Sequence, residues 1–177
     1  MSIYYNLYKN KIFWNFLKIF NIKSIMDVPQ LIKIVLNLGC GDFFNDKKKL
    51  QKSYDDLFLI SNQKPIFIKS KKSISNFKLR KGSNISIKVT LRNFLMYEFL
   101  YKFINIAVPS IKDFIGFNIK NFDNSGNFNF GIKDQIIFPE IVYDSFIKGL
   151  NLSFIIKNSD INKSLFLLKN FNFPFKN

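Results

Sequence analysis

Nine cations and no carboxylate occupy the stretch from Leu57 to Tyr97: Lys64, Lys69, Lys71, Lys72, Lys78, Arg80, Lys81, Lys88 and Arg92. A solvated protein face ordinarily mixes charge signs, because like charges repel and weaken the compact state. A single-sign cluster of this density suits phosphate neutralisation by a polyanion. Twenty-five lysines and two arginines give a formal net charge of +15, which points to nucleic acid or an anionic membrane surface. Lysine ammonium groups are mobile point charges, so they suit phosphate contacts more than planar base readout.

The residue types needed for catalysis are scarce. There is no histidine, so general acid–base work would fall to Asp, Glu or Lys. Cys40 is the lone cysteine, which leaves no intrachain disulfide and no zinc cluster. Asp55 and Asp56 are adjacent on an expected helix. Neighbouring helical positions point about 100° apart, so the pair reads as solvated residues rather than a dyad. The Gly39-Cys40-Gly41 step follows a strand, but Phe44 stands where a third glycine of a dinucleotide loop would be. These glycines, like Gly82 and Gly126, read as turns. No enzyme activity, metal or cofactor is expected.

The elements that must position the cations are legible as periodicities. Ile85, Ile87, Val89 and Leu91 alternate with Ser86, Lys88, Thr90 and Arg92, which predicts a strand with one core face and one basic, polar face. Ile32, Ile34, Leu36 and Leu38 oppose Lys33 and Asn37 in the same way. Between a short strand at Ile66–Ile68 and the strand from Ile85 lies a long basic loop, Lys69–Lys81, carrying Lys71, Lys72, Ser75, Asn76, Phe77, Lys78 and Arg80. Loops this long in compact domains are functional or disordered.

An amphipathic helix is expected over Tyr4–Ile22, packed on the core or lying on a membrane surface. A second helix, capped by Asn45, runs to Ser61, with Leu50, Tyr54, Leu57 and Phe58 as its apolar stripe. A third runs from Asn93 to about Ala107 and stops at Pro109. Strands are expected at Phe128/Phe130 and at Leu150–Ile156. A last helix capped by Ser159 or Asp160 carries Leu165, Leu168 and Phe171. The order predicts a single α+β domain, residues 1–177, with an antiparallel sheet, helices on one face and the other face open. An open basic sheet face is a recurring RNA platform. No apolar run reaches the roughly 18 residues of a membrane span. The first 23 residues have no Arg and one Ser, which argues against a cleaved transit peptide.

Phe, Ile, Asn and Lys make up 96 of the 177 residues. All four have codons built only from A and T, so the skew reads as mutational bias in an AT-rich genome such as an organelle's.

Several segments together resemble a known family. KIVLNLGCGD, ISNQKPIFIKSKKSISNFKLRKG, IKVTLRNFLMYEFL, INIAVPSIKDFIGF and FDNSGNFNFGIKDQIIFPEI look like the bacterial-type large-subunit ribosomal protein five, the universal family that binds 5S rRNA. The resemblance runs in order from about Tyr5 to Phe175. It implies a ferredoxin- or RRM-like α+β fold whose exposed sheet face docks on 5S rRNA in the central protuberance. The family's polar sheet positions map onto Lys33, Asn37, Gln63 and Thr90; strand parity adds Lys88 and Arg92. The basic loop resembles the family's finger toward the peptidyl-site tRNA, with Phe77 and Arg80 as contacts. Phe77 reads either as a base-stacking residue or as a fold-back anchor. Pro109–Phe117 and Gln135–Glu140 are similar to the part that faces the small-subunit head and ribosomal protein thirteen.

Departures from the family are Ser70 and Ser75 in place of Ala, and Ser86 and Asn93 near positions that carry Gly. The partners expected are large-subunit rRNA, 5S rRNA where retained, peptidyl-site tRNA and neighbouring organellar ribosomal proteins. The compartment expected is the mitochondrial ribosome, with the plastid as alternative; a membrane-surface protein is the competing reading.

Overall fold

The alternation of Ile85–Arg92 becomes strand β3, Asn84–Leu91. Ile87, Val89 and Leu91 are buried, while Ser86, Lys88 and Thr90 are half-buried on the other face. Ile85, expected in the core, is only half-buried near the strand's start. The computed structural model describes residues 3–22, 24–41, 43–141 and 148–176. Strands β1 (Gln30–Gly39), β2 (Ile66–Lys69), β3, β4 (Phe128–Ile132) and β5 (Leu150–Lys157) form one antiparallel sheet in the order β2-β3-β1-β5-β4. The fold is α+β, as the element order predicted. Contacts divide the chain into two compact units.

The first unit comprises Met1–Ile34, Leu91–Phe130 and Ser153–Asn177. Its N-terminal helix runs through α1 (Ile3–Leu7), a wider π-helical turn at Tyr8–Ile12, and α2 (Phe13–Ile19). Tyr4, Tyr8, Ile12 and Phe16, each four residues apart, form one buried stripe. That stripe packs on α5 (Ile161–Asn170) and its C-terminal end: Phe16 meets Phe166 edge-on at 4.9 Å between ring centroids, and Tyr8 stacks on Phe171. The Tyr8 hydroxyl donates to the Pro29 carbonyl at 2.9 Å, and burial pushes the phenol up to about 12. This stripe is therefore spent on the core, while Ile3, Trp14 and Ile19 of the same helix are exposed.

The rest of this core is aromatic. Helix α4 (Asn93–Lys102) continues through a π-helical turn at Phe103–Ala107. Phe103, Phe117, Phe128, Phe154 and Phe173 then meet ring to ring. The FDNSGN turn is built by Asp123, whose carboxylate accepts the amides of Ser125 and Asn127 and the Asn127 side chain. Partial burial opposes ionisation of Asp123, but these hydrogen bonds outweigh it and hold its pKa below the usual range. Gly126 has φ +75° in this turn, and a Cβ there would sit 2.7 Å from Ser164 Oγ. Only glycine fits both constraints. In α5 the buried residues are Ser164, Leu167 and Leu168; Leu165, expected in the stripe, is half-buried.

The second unit comprises Val35–Thr90 and Gly131–Leu152. Helix α3 (Lys47–Ser61) is capped by Asp46 rather than Asn45: its Oδ1 accepts the Lys48 and Lys49 amides at 3.1 and 3.3 Å. Leu50, Ser53, Leu57 and Ile60 form its buried stripe, and Asp56 lies on it. Tyr54 and Phe58, expected there, lie toward the stripe's edge: Phe58 is exposed, and Tyr54 stacks on Phe67 of β2 at 5.1 Å.

Candidate nucleic-acid interface

The register of β2 against β3 decides which side chains share the open face. Ile66 lies opposite Lys88, Phe67 opposite Ile87 and Ile68 opposite Ser86. Directly opposed residues point to the same face. Phe67 therefore turns toward the helix side, and Ile66 and Ile68 join Lys88 and Ser86 on the open one. Ile66 is 62% exposed, so the open face carries aliphatic surface as well as charge.

On the same face of β1, Asn37 is half-buried and its Oδ1 is buried without a hydrogen-bond partner. Leaving a buried acceptor unsatisfied is costly, and a donor from a bound molecule would relieve it. Gln63 is set by the end of α3, where Asn62 takes a left-handed conformation with φ +52° and Ser61 Oγ accepts the Gln63 amide at 3.3 Å. Its side-chain Nε2 donates to the Thr90 carbonyl at 3.2 Å. Among the described residues no partner engages the Thr90 hydroxyl, which is half-buried on β3.

Two expected contact residues belong to the first unit. Lys33 is half-buried on β1 and Arg92 is exposed at the start of α4. The parity of β1 breaks just before Lys33. Leu31 is buried and Ile32 is 39% exposed, the reverse of the expected pattern, before Ile34, Leu36 and Leu38 resume the core face.

The basic loop is an ordered hairpin extension. Ser70 and its partners close its base, with Ser70 N–H donating to Ser83 O at 2.8 Å and Gly82 N–H donating to Ser70 O at 3.0 Å. Ile74 and Leu79 exchange backbone hydrogen bonds of 2.9 and 3.1 Å below a 3-10 turn at Ser75–Phe77. Lys81 N–H donates to Ser73 Oγ at 3.0 Å. Beyond this frame Lys71, Lys72, Ser75, Asn76, Lys78 and Arg80 are all exposed, and Phe77 at the tip is 72% exposed. Phe77 is thus no fold-back anchor. Among the described residues none of the nine cations of the window has a carboxylate within 4.0 Å. Their charge is left for an external anion.

One polar cluster was not expected. Asp56 is 7% exposed, not solvated. It stands three residues after Ser53 and four before Ile60, which places it on the buried stripe of α3. Its Oδ2 accepts Gln135 Nε2 at 2.9 Å, and Lys148 Nζ reaches Ser53 Oγ and, at 3.4 Å, the Lys49 carbonyl. Burial raises the Asp56 pKa against the pull of Lys148 and Gln135, and burial likewise pushes the Cys40 thiol up to about 11. Ser53 has no exposed surface, so its contact with a lysine cannot meet a substrate and serves to join α3 to the chain around 148. Gln135, expected near the small-subunit head, is consumed in this cluster. Gly39 and Gly41 have no left-handed conformation, and a Cβ added at either would meet open space, so they form an ordinary turn and no phosphate cradle. Among the described residues no three carboxylate or thiol groups gather as a metal site, and no helix is long and apolar enough to cross a membrane.

The chain is similar in sequence to proteins of known family. Residues 24–80 match the family model of ribosomal protein L5, and residues 84–175 match the model of that family's C-terminus. The chain is 47% identical to the large ribosomal subunit protein uL5 of Malacoplasma penetrans, over 98% of this chain and 94% of that one. It is 49% identical to the protein of that name from Wigglesworthia glossinidia brevipalpis, over 97% and 98% of the two chains. With the uL5 of Nitrosomonas eutropha it shares 46% identity over the whole of both. The two family models together span nearly all of the sheet and both units, and the chain belongs to the ribosomal protein L5 family.

Proposed function

We propose that this chain docks on 5S rRNA through the open sheet face of Asn37, Gln63, Lys88 and Thr90, with Lys33 and Arg92 as further phosphate contacts. Its role is structural: a non-enzymatic constituent of the large ribosomal subunit that acts as one ribosomal protein domain. The observation that carries the reading is the unsatisfied Oδ1 of Asn37 on a face whose cations lack carboxylate partners among the described residues. Affinity comes from phosphate neutralisation, and fit from hydrogen bonds of Asn37 and Thr90 to folded RNA. The hairpin tip of Lys71, Lys72, Ser75, Asn76, Phe77, Lys78 and Arg80 reaches toward peptidyl-site tRNA. Pro109–Phe117 and the exposed part of Gln135–Glu140 face the small-subunit head and its ribosomal protein thirteen.

Two compartments fit the composition. The excess of Phe, Ile, Asn and Lys supports a mitochondrial ribosome, and the bacterial relatives support a bacterial one. Sedimentation of a cell lysate and of purified organelles, each with and without ribonuclease, separates them and tests the function. The protein is expected in the large-subunit fraction of one preparation, and to leave it on digestion. Migration at the top of the gradient irrespective of ribonuclease overturns the proposal.

A further inference from the structure

A pocket of about 690 Å³ opens beside the N-terminus of α4, within the first unit. Its volume lies in the range of pockets that hold small ligands. Phe94, which is 50% exposed, and half-buried Tyr5 supply aromatic surface, and misaligned Ile32 adds an aliphatic wall. Asn93 and Lys157 contribute an amide and an ammonium, and no carboxylate lines the pocket among the described residues. Tyr97 forms part of the wall, and its hydroxyl is buried without a hydrogen-bond partner. Ile32 and Asn93 are covalent neighbours of Lys33 and Arg92, so two of the proposed phosphate contacts lie next to the pocket along the chain.

We propose that this pocket holds one unpaired base of the RNA bound by the chain. The inference rests on the RNA-docking reading above and adds a site to it. Aromatic faces stack on any base, and nearby cations hold the flanking phosphates. An acidic or apolar peptide would fill the volume but would leave the adjoining Arg92 and Lys33 without a role. The arrangement also accounts for Ile32, which leaves the core face of its strand and gains a ligand-facing position.

The test uses the full chain with deproteinised large-subunit RNA, 5S included, from the same source. Phe94→Ala, Phe94→Trp and Thr90→Ala are compared with the wild type across salt concentrations. Loss of one stacked base is expected to weaken binding of Phe94→Ala about tenfold, with unchanged salt dependence and recovery in Phe94→Trp. Ultraviolet crosslinking of the wild-type complex is expected to join Phe94 or Tyr5 to one unpaired nucleotide. Wild-type binding by Phe94→Ala, with Thr90→Ala weakened, overturns the pocket proposal and leaves the sheet-face reading standing. If neither substitution weakens binding, RNA docking by the sheet fails and the base site with it. If Phe94→Ala binds naked RNA normally but is lost from assembled subunits, the occupant is a protein and the proposal is wrong.

Discussion

The side-chain amide of Gln63 donates to the backbone carbonyl of Thr90 at 3.2 Å, tying the segment after α3 to the end of β3. The bond uses the Thr90 backbone, so the threonine hydroxyl remains available on the open face. Thr90→Ala is accordingly expected to keep this tie and lose one RNA hydrogen bond, weakening rRNA binding about tenfold or less. Gln63→Glu replaces the donor by a carboxylate that repels both the Thr90 carbonyl and phosphate. Its loss in a filter-binding or calorimetric titration is expected to exceed that of Thr90→Ala. Equal affinities for Gln63→Glu and the wild type would remove Gln63 from the interface.

Lys72 tests the division between charge and fit. Exposed and, among the described residues, without a carboxylate partner, it is expected to contribute through counterion release. Lys72→Ala is expected to lower the slope of log affinity against log salt by about one unit or less, whereas Thr90→Ala leaves that slope unchanged. Matching slopes in both variants would show that the loop and the sheet do not divide the work in this way.

The buried Asp56 makes a prediction about pH. Its pKa is raised by burial above that of the unfolded chain, so the folded state holds the proton more tightly. The stability contributed by that proton is fully present below the ordinary carboxylate range. It is lost as pH rises from the ordinary carboxylate range through the raised value. Urea denaturation of Asp56→Asn across that window is expected to show a flatter profile than the wild type. Asp56→Ala, which also strands the Gln135 amide beside Lys148, is expected to cost about 1–3 kcal/mol at pH 7. An Asp56→Asn profile parallel to the wild type would mean that another group titrates.

What could be read in advance followed from local rules. Strand parity placed Asn37, Lys88 and Thr90 on the open face, because alternation survives any register. Register itself is a pairing property, so Ile66 beside Lys88 was not legible. Asp56 stands on the buried stripe of α3, a position that its adjacency to Asp55 conceals in the sequence. The break at Leu31–Ile34 carries no signal, because Leu31 and Ile32 are both aliphatic and either could face the core. Composition concealed a further regularity. Asn21, Asn62, Asn93, Asn158 and Asn172 all have positive φ, the conformation that glycine fits best and asparagine tolerates next. At Asn93 the resemblance marks a glycine, and the structure shows φ +50°. Part of the asparagine excess therefore occupies glycine's conformational role.

Phe77 separates the loop's function from the fold. It is exposed at the tip of a hairpin whose own frame, Ser70 with Ser83 and Ile74 with Leu79, is built from backbone hydrogen bonds. Removing its ring takes nothing from either core, so Phe77→Ala is expected to change stability by about 0.5 kcal/mol or less. It sits apart in sequence from the proposed sheet contacts, so affinity for large-subunit RNA is expected to persist as well. The effect is expected in reconstituted subunits, as weaker binding of peptidyl-site tRNA by an amount comparable to one stacking contact, about 1–3 kcal/mol. Phe77→Trp, which preserves an aromatic face, is expected to restore it. Undiminished tRNA binding by Phe77→Ala, with rRNA affinity intact, would leave the hairpin as an rRNA-directed cationic arm and remove tRNA from its contacts.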